Sequence, residues 1–222
     1  MGRAGWTVAV VVGVAVVALV VATVLSPWTP SVPDDPTLPL VARTVLRGEI
    51  AADVTDVDPD TIAPSPIGQE CLSIERPAGP MFLCWEAYKD PRDADALQDY
   101  YRLRVYGTFG GESGSGVRWA VVRAHLVDEP SNGVFEGWPD GVFEGPCKQV
   151  DVSLGPGPVT PETLCGRTTG STRIDDQSQT FTWTCAGCLF PDHADRSVAL
   201  HEFVAVPAGI IPTWEIFADL GG

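Results

Sequence analysis

Residues 101–109 read YRLRVYGTF, and their alternation decides the class of fold. Tyr101, Leu103 and Val105 fall on one face of an extended chain, while arginines occupy the positions between them. A two-residue period of this kind predicts a β-strand with one buried face and one polar face.

Similar runs recur after Cys71, separated by turns rich in glycine and proline: MFLCWEAY, VRWAVVRAHLV, KQVDVSL, QTFTWTC, VALHEFVAV and IPTWEIF. Roughly seven to ten short strands predict an all-β fold, a disulfide-bonded β-sandwich or an irregular β-barrel. Only RDADALQDYY, residues 92–101, favours a short helix.

Two connections predict β-hairpins. GGESGSG at 110–116 follows YRLRVYGTF and leads into the next strand, which we expect to be its partner. Residues 133–145 contain the phrase GVFEG twice, around WPDG at 138–141, where proline and glycine favour a tight turn. In such a hairpin Glu136 faces Glu144. Two facing carboxylates at a hairpin tip are usually solvated, and acid–base chemistry is the alternative.

The N-terminal segment indicates a membrane anchor. Residues 6–25 are apolar and uncharged, and at about 1.5 Å per residue they span the roughly 30 Å core of a bilayer. This predicts a transmembrane helix, with a cleaved signal peptide as the alternative. Arg3 precedes the run and Asp34 and Asp35 follow it, so the positive-inside rule makes residues 1–5 a short cytoplasmic tail.

Proline recurs at every third position from Pro27 to Pro39. This spacing matches the three residues per turn of polyproline II, which is extended and stiff. We therefore predict that residues 26–68 form a proline-rich stalk and acidic linker, and that residues 69–222 form an extracytoplasmic β domain.

The chain carries 29 acidic and 14 basic residues, a formal charge of −15. Such a surface repels nucleic acid and anionic lipid, so we expect no nucleic-acid partner and no membrane contact beyond the helix. Nearly all basic residues are arginine, and Lys89 and Lys148 are the only lysines. This composition is typical of a GC-rich bacterial genome such as that of an actinobacterium.

All of the cysteines follow the apolar run: Cys71, Cys84, Cys147, Cys165, Cys185 and Cys188. An even number in an exported segment predicts disulfides. Cys71 and Cys84 flank a predicted turn at residues 76–80, and Cys147 and Cys165 enclose a loop rich in glycine and proline. These two pairings are preferred among the roughly 15 that six cysteines allow.

The densest group of potential metal ligands is Cys185, Cys188, His193 and His201. Thiolate and imidazole together suit zinc or copper. The same Cys185-x-x-Cys188 pair could instead be a redox-active dithiol. Both are alternatives to a structural disulfide.

The segment TLCGRTTGSTR resembles the active-site segment of sortases. Cys165 follows Thr163-Leu164, and Arg173 comes eight residues later. The resemblance implies a cysteine nucleophile with His125 as its partner, although the two residues expected between Leu164 and the cysteine are missing.

A final candidate is electrostatic. Four arginines fall on two strands that we expect to be adjacent: Arg102, Arg104, Arg118 and Arg123. They could bind an anion, or they could form a solvent face balanced by nearby acids.

These features together predict a non-catalytic binding or assembly module of a bacterial cell envelope. We expect it to be anchored in the membrane by its N-terminal helix, to contact other envelope or membrane proteins, and to hold no cofactor. The alternative is a metal-binding or thiol-redox protein centred on Cys185, Cys188 and His193.

Overall fold

The structure is a computed structural model that describes residues 38–44, 66–90, 97–110, 117–127, 135–185 and 196–221. Residues 1–5 and 6–25 lie outside these ranges, so the cytoplasmic tail and the transmembrane helix remain predictions. Within the described ranges, no helix has both the length and the apolar character needed to span a bilayer.

The prediction of an all-β fold is confirmed. The described residues form these strands: β1 Leu40–Arg43, β2 Gly68–Arg76, β3 Gly79–Lys89, β4 Gln98–Phe109, β5 Trp119–Leu126, β6 Phe135–Trp138, β7 Gly141–Val152, β8 Thr160–Arg173, β9 Ser178–Thr184, β10 Ser197–Pro207 and β11 Trp214–Gly221. The run expected to favour a helix instead begins β4 at Gln98; residues 91–96 are outside the described ranges.

The strands form two antiparallel sheets. Sheet A has six strands in the order β1-β11-β5-β9-β8-β7, and sheet B has five in the order β2-β3-β4-β10-β6. The predicted hairpin across residues 110–116 is therefore wrong, because β4 lies in sheet B and β5 in sheet A. Alternation reports which face of a strand is buried, but it does not report which strand is the neighbour.

Both sheets contribute side chains to one apolar cluster. Its largest members include Trp85 of β3, Trp183 of β9 and Trp214 of β11, all buried. Phe109 of sheet B meets Trp183 of sheet A edge to face, with ring centroids 4.9 Å apart. The core thus takes alternate residues from strands of both sheets.

Strand β1 corrects the predicted domain boundary. It lies within residues 26–68, yet it pairs with β11 at the edge of sheet A. Arg43 also forms an ion pair with Glu215 of β11. Residues 38–44, predicted to belong to the stalk and linker, are therefore joined to sheet A.

Both preferred cysteine pairings are present. Cys71 and Cys84 are directly opposite each other in the β2–β3 hairpin and form a disulfide. Cys147 and Cys165 join β7 to β8. Each bond thus links neighbouring strands of a single sheet.

Candidate functional site

The face of sheet B that points away from the core carries a row of polar and aromatic side chains. The register sets Glu86 of β3 opposite Arg104 of β4, Arg104 opposite His201 of β10, and His201 opposite Trp138 of β6. Side chains on neighbouring strands of one face lie close enough to interact. We call Glu86, Arg104 and His201, together with Glu162 of β8, the polar cluster.

Glu162 reaches this face because β8 is longer than its partner in sheet A. Residues 167–173 of β8 pair with β9, whereas residues 160–164 pair only with β7. That end of the β7–β8 hairpin lies over sheet B, where Glu162 Oε1 accepts hydrogen bonds from Arg104 Nε at 2.6 Å and His201 Nε2 at 2.9 Å.

Glu86 is the second carboxylate of the polar cluster. Its carboxylate accepts hydrogen bonds from Arg104 Nη1 at 3.2 Å, from the Tyr88 hydroxyl at 2.8 Å and from the Tyr106 hydroxyl at 2.9 Å. The Arg104 guanidinium also lies 3.9 Å from the centre of the Tyr106 ring, which is a cation–π contact. Arg104 is therefore held by two carboxylates and one ring.

The two acids of the polar cluster are ionised. Burial acts to raise the pKa of Glu162, but hydrogen bonds from His201 and Arg104 outweigh it and hold that pKa below its usual range. Burial likewise opposes ionisation of Glu86, whose pKa is lowered by hydrogen bonds from Tyr88 and Tyr106 and by Arg104.

His201 is neutral at neutral pH. Its side chain is fully buried, and burial lowers its pKa although Glu162 acts in the opposite direction. Because a carboxylate can only accept, the Nε2 atom of His201 carries the proton. Its Nδ1 has no hydrogen-bond partner among the described residues.

Arg102 lies beside the polar cluster, under the loop that connects β7 to β8. Its Nη1 donates to the carbonyl of Pro158 at 3.0 Å, and its guanidinium lies 4.7 Å from the centre of the Tyr88 ring. Gly157 of this loop has a φ of 105°, a backbone conformation that favours glycine, and a Cβ there would lie 2.9 Å from Tyr88 Cγ and 2.6 Å from Arg102 Nη2.

The members of the polar cluster pair with one another. Positive Arg104 is matched by two carboxylates, and His201 donates to one of them. With His201 fully buried and Glu162 5% exposed, these contacts fasten the end of the β7–β8 hairpin to sheet B.

A different carboxylate lies on the core face of β10. Glu202 is fully buried, and burial raises its pKa to about 8, although the Gln179 backbone amide and the Trp214 indole act to lower it. Oε1 accepts from Gln179 N at 2.9 Å. Neither Oε2 nor Trp214 Nε1 makes a hydrogen bond of normal geometry with a described residue, so we regard the indole contact as weak.

The WPDG segment is a crossover between sheets, which corrects the second predicted hairpin. Residues 135–138 pair with β10 in sheet B, and residues 141–152 pair with β8 in sheet A. Gln179 Nε2 donates to the Pro139 carbonyl at the crossing. A Cβ on Gly170 would lie 1.8 Å from that carbonyl oxygen, so glycine is needed there.

The predicted carboxylate pair does not form. Glu136 lies opposite Phe203 in sheet B, and Glu144 lies opposite Arg167 in sheet A. The repeated sequence suggested a hairpin in which its two copies pair with each other. Residues 135–137 instead lie in sheet B, and residues 141–145 lie in sheet A.

The predicted metal or redox group is described only in part. Cys185 is disulfide-bonded, and His201 donates to Glu162. Cys188 and His193 lie outside the described ranges, so this site remains a prediction. Within those ranges, no group of three or more histidine, cysteine, aspartate or glutamate side chains is placed to hold a metal ion.

The resemblance to sortases implied that Cys165 is a nucleophile, and this prediction is wrong. Cys165 is bonded to Cys147 and has no thiolate to offer. His125 lies across from Ser178, which lies across from Arg173, so these residues share one end of sheet A. Cys165 is eight positions away from Arg173 along β8.

The four arginines predicted to bind an anion are divided between the sheets. Arg102 and Arg104 lie on β4, whereas Arg123 lies on β5 and Arg118 immediately precedes it. They therefore do not form one patch on adjacent strands. The anion beside Arg104 is the protein's own Glu162.

The residues predicted to form a site included neither Glu86 nor Glu162 nor Glu202. One signal was available: VALHEFVAV places His201 and Glu202 side by side in an otherwise apolar strand. Adjacent strand residues point to opposite faces, so each needed its own buried partner.

No protein-family model matches this chain, and no curated protein matches it.

Proposed function

We propose that this protein is a membrane-anchored, extracytoplasmic binding or assembly module of a bacterial cell envelope, without catalytic activity of its own. The disulfides carry the proposal. Two join neighbouring strands, and Cys185 is also disulfide-bonded. Such bonds persist in oxidising compartments, which agrees with cysteines that all follow the apolar run at residues 6–25.

The polar cluster supports a non-catalytic role. A general base must reach a substrate proton within hydrogen-bond distance. His201 is fully buried and donates to Glu162, while Glu202 is enclosed by the core. These groups are arranged to hold strands together.

In this proposal the domain is a β-sandwich. The shared apolar cluster and the edge-to-face contact between Phe109 and Trp183 support two sheets packed face to face. A stable sandwich on a stalk would present a binding surface at a fixed distance from the membrane.

Two measurements on the full chain test the proposal, the first in intact cells and the second in isolated membranes. Protease added outside intact cells should release the β domain and leave a short membrane-bound fragment. Peptide mapping without reductant, after alkylation of free thiols and with a metal assay, should find all six cysteines in disulfides. Alkylated or metal-bound Cys185 and Cys188 would overturn it in favour of the metal or thiol-redox role.

A further inference from the structure

One end of the β domain displays exposed apolar side chains. Exposed large apolar residues lie on the turns and strand ends there, with 44–79% of each side chain accessible: Leu97, Val127, Ile174, Ile210 and Ile211. We call these five residues the apolar row. Scattered apolar side chains are normal on a surface, whereas contiguous ones mark interaction sites.

Backbone hydrogen bonds join the turns that carry the apolar row. They run from Leu126 N to Gln177 O at 2.9 Å, from Val127 N to Thr213 O at 2.9 Å, and from Ala208 N to Leu97 O at 3.0 Å. The row therefore crosses from sheet A to sheet B. Because its turns are fastened to one another, the surface is preformed, which lowers the entropic cost of binding.

The chain enters the domain away from the apolar row. The Pro39 carbonyl accepts from Ala218 N at 3.2 Å, and β1 then runs antiparallel to β11 toward Trp214. The apolar row lies beyond the Trp214 end of β11. A stalk arriving at Leu38 therefore holds this surface away from the membrane in which the chain is anchored.

Carboxylates outnumber basic groups beside the apolar row. The charged residues on the described turns and strand ends here are Asp90, Asp99, Asp175, Asp176 and Glu215, with Arg43, Lys89 and Arg173. The three basic groups form ion pairs with Glu215, Asp99 and Asp176, so five acids against three bases leave an excess of two negative charges. Together with the chain's net charge of −15, this disfavours a second copy, because like charges would meet. A surface with lysine and arginine around an apolar centre would be complementary.

We propose that the apolar row is the docking surface for another envelope protein, one that presents apolar side chains rimmed by lysine and arginine. The inference rests on the proposed binding function and names where that binding occurs. The apolar side chains would form the centre of the interface, and the carboxylates its polar rim.

Site-specific photo-crosslinking tests this in the full chain, expressed in the native host and irradiated in intact cells. Benzoylphenylalanine replaces Ile211 in one variant and Leu97 in another. Val142 is the matched control, since it is 64% exposed but lies on β7. Mass spectrometry then identifies the crosslinked peptide.

We expect both positions in the apolar row to yield one adduct with the same protein, at a segment that combines apolar residues with lysine or arginine. Ile174→Asp should reduce this adduct at least fivefold and leave the thermal unfolding midpoint unchanged, because Ile174 is exposed. Val142→Asp should leave the adduct intact.

An adduct with a second copy of this chain, with lipid, or with an acidic surface would overturn the inference. Adducts obtained only from Val142 would also overturn it, but would leave the binding function standing at another face. Loss of adducts from all three positions would count against both the inference and the binding function.

Discussion

Glu162 and Glu202 are both almost fully buried, yet their pKa values move in opposite directions. Glu202 lies on β10, and Glu162 of β8 contacts His201 of that same strand. Burial disfavours the charged form of each. Glu162 faces Arg104 and His201 on the outer side of sheet B and stays ionised. Glu202 faces the core, where the Gln179 amide is its one normal hydrogen bond from a described residue, and it keeps its proton.

The contrast shows that burial sets the cost of a charge, while the neighbours decide whether the charge remains. One strand carries both outcomes on adjacent residues, because His201 and Glu202 point to opposite faces. On the outer face of sheet B, hydrogen bonds to charged groups therefore connect the strands. On the core face, Glu202 is uncharged.

The pH dependence of stability tests Glu202 most directly. The unfolded carboxyl ionises near pH 4.5, whereas the folded one holds its proton to about pH 8. Between these values the folded state binds the extra proton, so this group makes the free energy of unfolding fall as pH rises, by up to about 1.4 kcal/mol per pH unit. The decline ends above pH 8.

Glu202→Gln removes this titration and keeps the side-chain shape. Urea denaturation between pH 5 and 9 should give a difference curve, wild type minus variant, that falls with pH and is then flat. Glu70→Gln, an exposed change on β2, should retain the wild-type dependence. A flat difference curve for Glu202→Gln would mean that Glu202 is ionised in the fold.

Glu162→Ala should lower the free energy of unfolding by about 3 kcal/mol at pH 7, because it leaves Arg104 and His201 buried without their shared acceptor. Urea denaturation measures the loss. Glu144→Ala on exposed β7 should cost less than about 0.5 kcal/mol. Equal losses would remove the distinction between the polar cluster and an ordinary surface acid.

Tyr106→Phe should cost about 1 kcal/mol, because it removes the hydrogen bond to Glu86 while keeping the ring beside Arg104. Thermal or urea unfolding suffices for the measurement. Tyr100→Phe is the matched control, since its hydroxyl makes only a 3.4 Å contact with Gln98. An equal effect in both variants would show that the Glu86 contact adds nothing.

Glu136→Gln and Glu144→Gln should have the smallest effects, each below about 0.5 kcal/mol. Because the two residues lie in different sheets, the double variant should equal the sum of the single ones within about 0.5 kcal/mol. A larger coupling energy in the double-mutant cycle would indicate that Glu136 and Glu144 interact, as the repeated sequence suggested.

Local sequence predicted much of the fold. Alternation identified β4, and the turn at residues 76–80 identified the hairpin closed by Cys71 and Cys84. These features depend on neighbours in the chain. The failures concern which strand lies beside which: β5 is not the partner of β4, and the WPDG segment joins two sheets.

The polar cluster was beyond local patterns for the same reason. Glu162 and His201 are 39 positions apart and come from different sheets. The two side chains come into contact because β8 extends beyond the segment that pairs with β9. The sequence of β8 does not indicate which strand lies next to this extension. The adjacent His201 and Glu202 signalled that buried polar partners were needed, but not which residues supply them.

The placement of β1 has a mechanical consequence. Tension on the proposed stalk would act at Leu38, while the proposed partner at the apolar row would resist at the other end of the β domain. This tension acts parallel to the strands. The hydrogen bonds between antiparallel strands lie perpendicular to the strands, and therefore perpendicular to the force. The bonds between β1 and β11 would then share the load in shear rather than open one at a time, and the Arg43–Glu215 ion pair would add a further connection under strain.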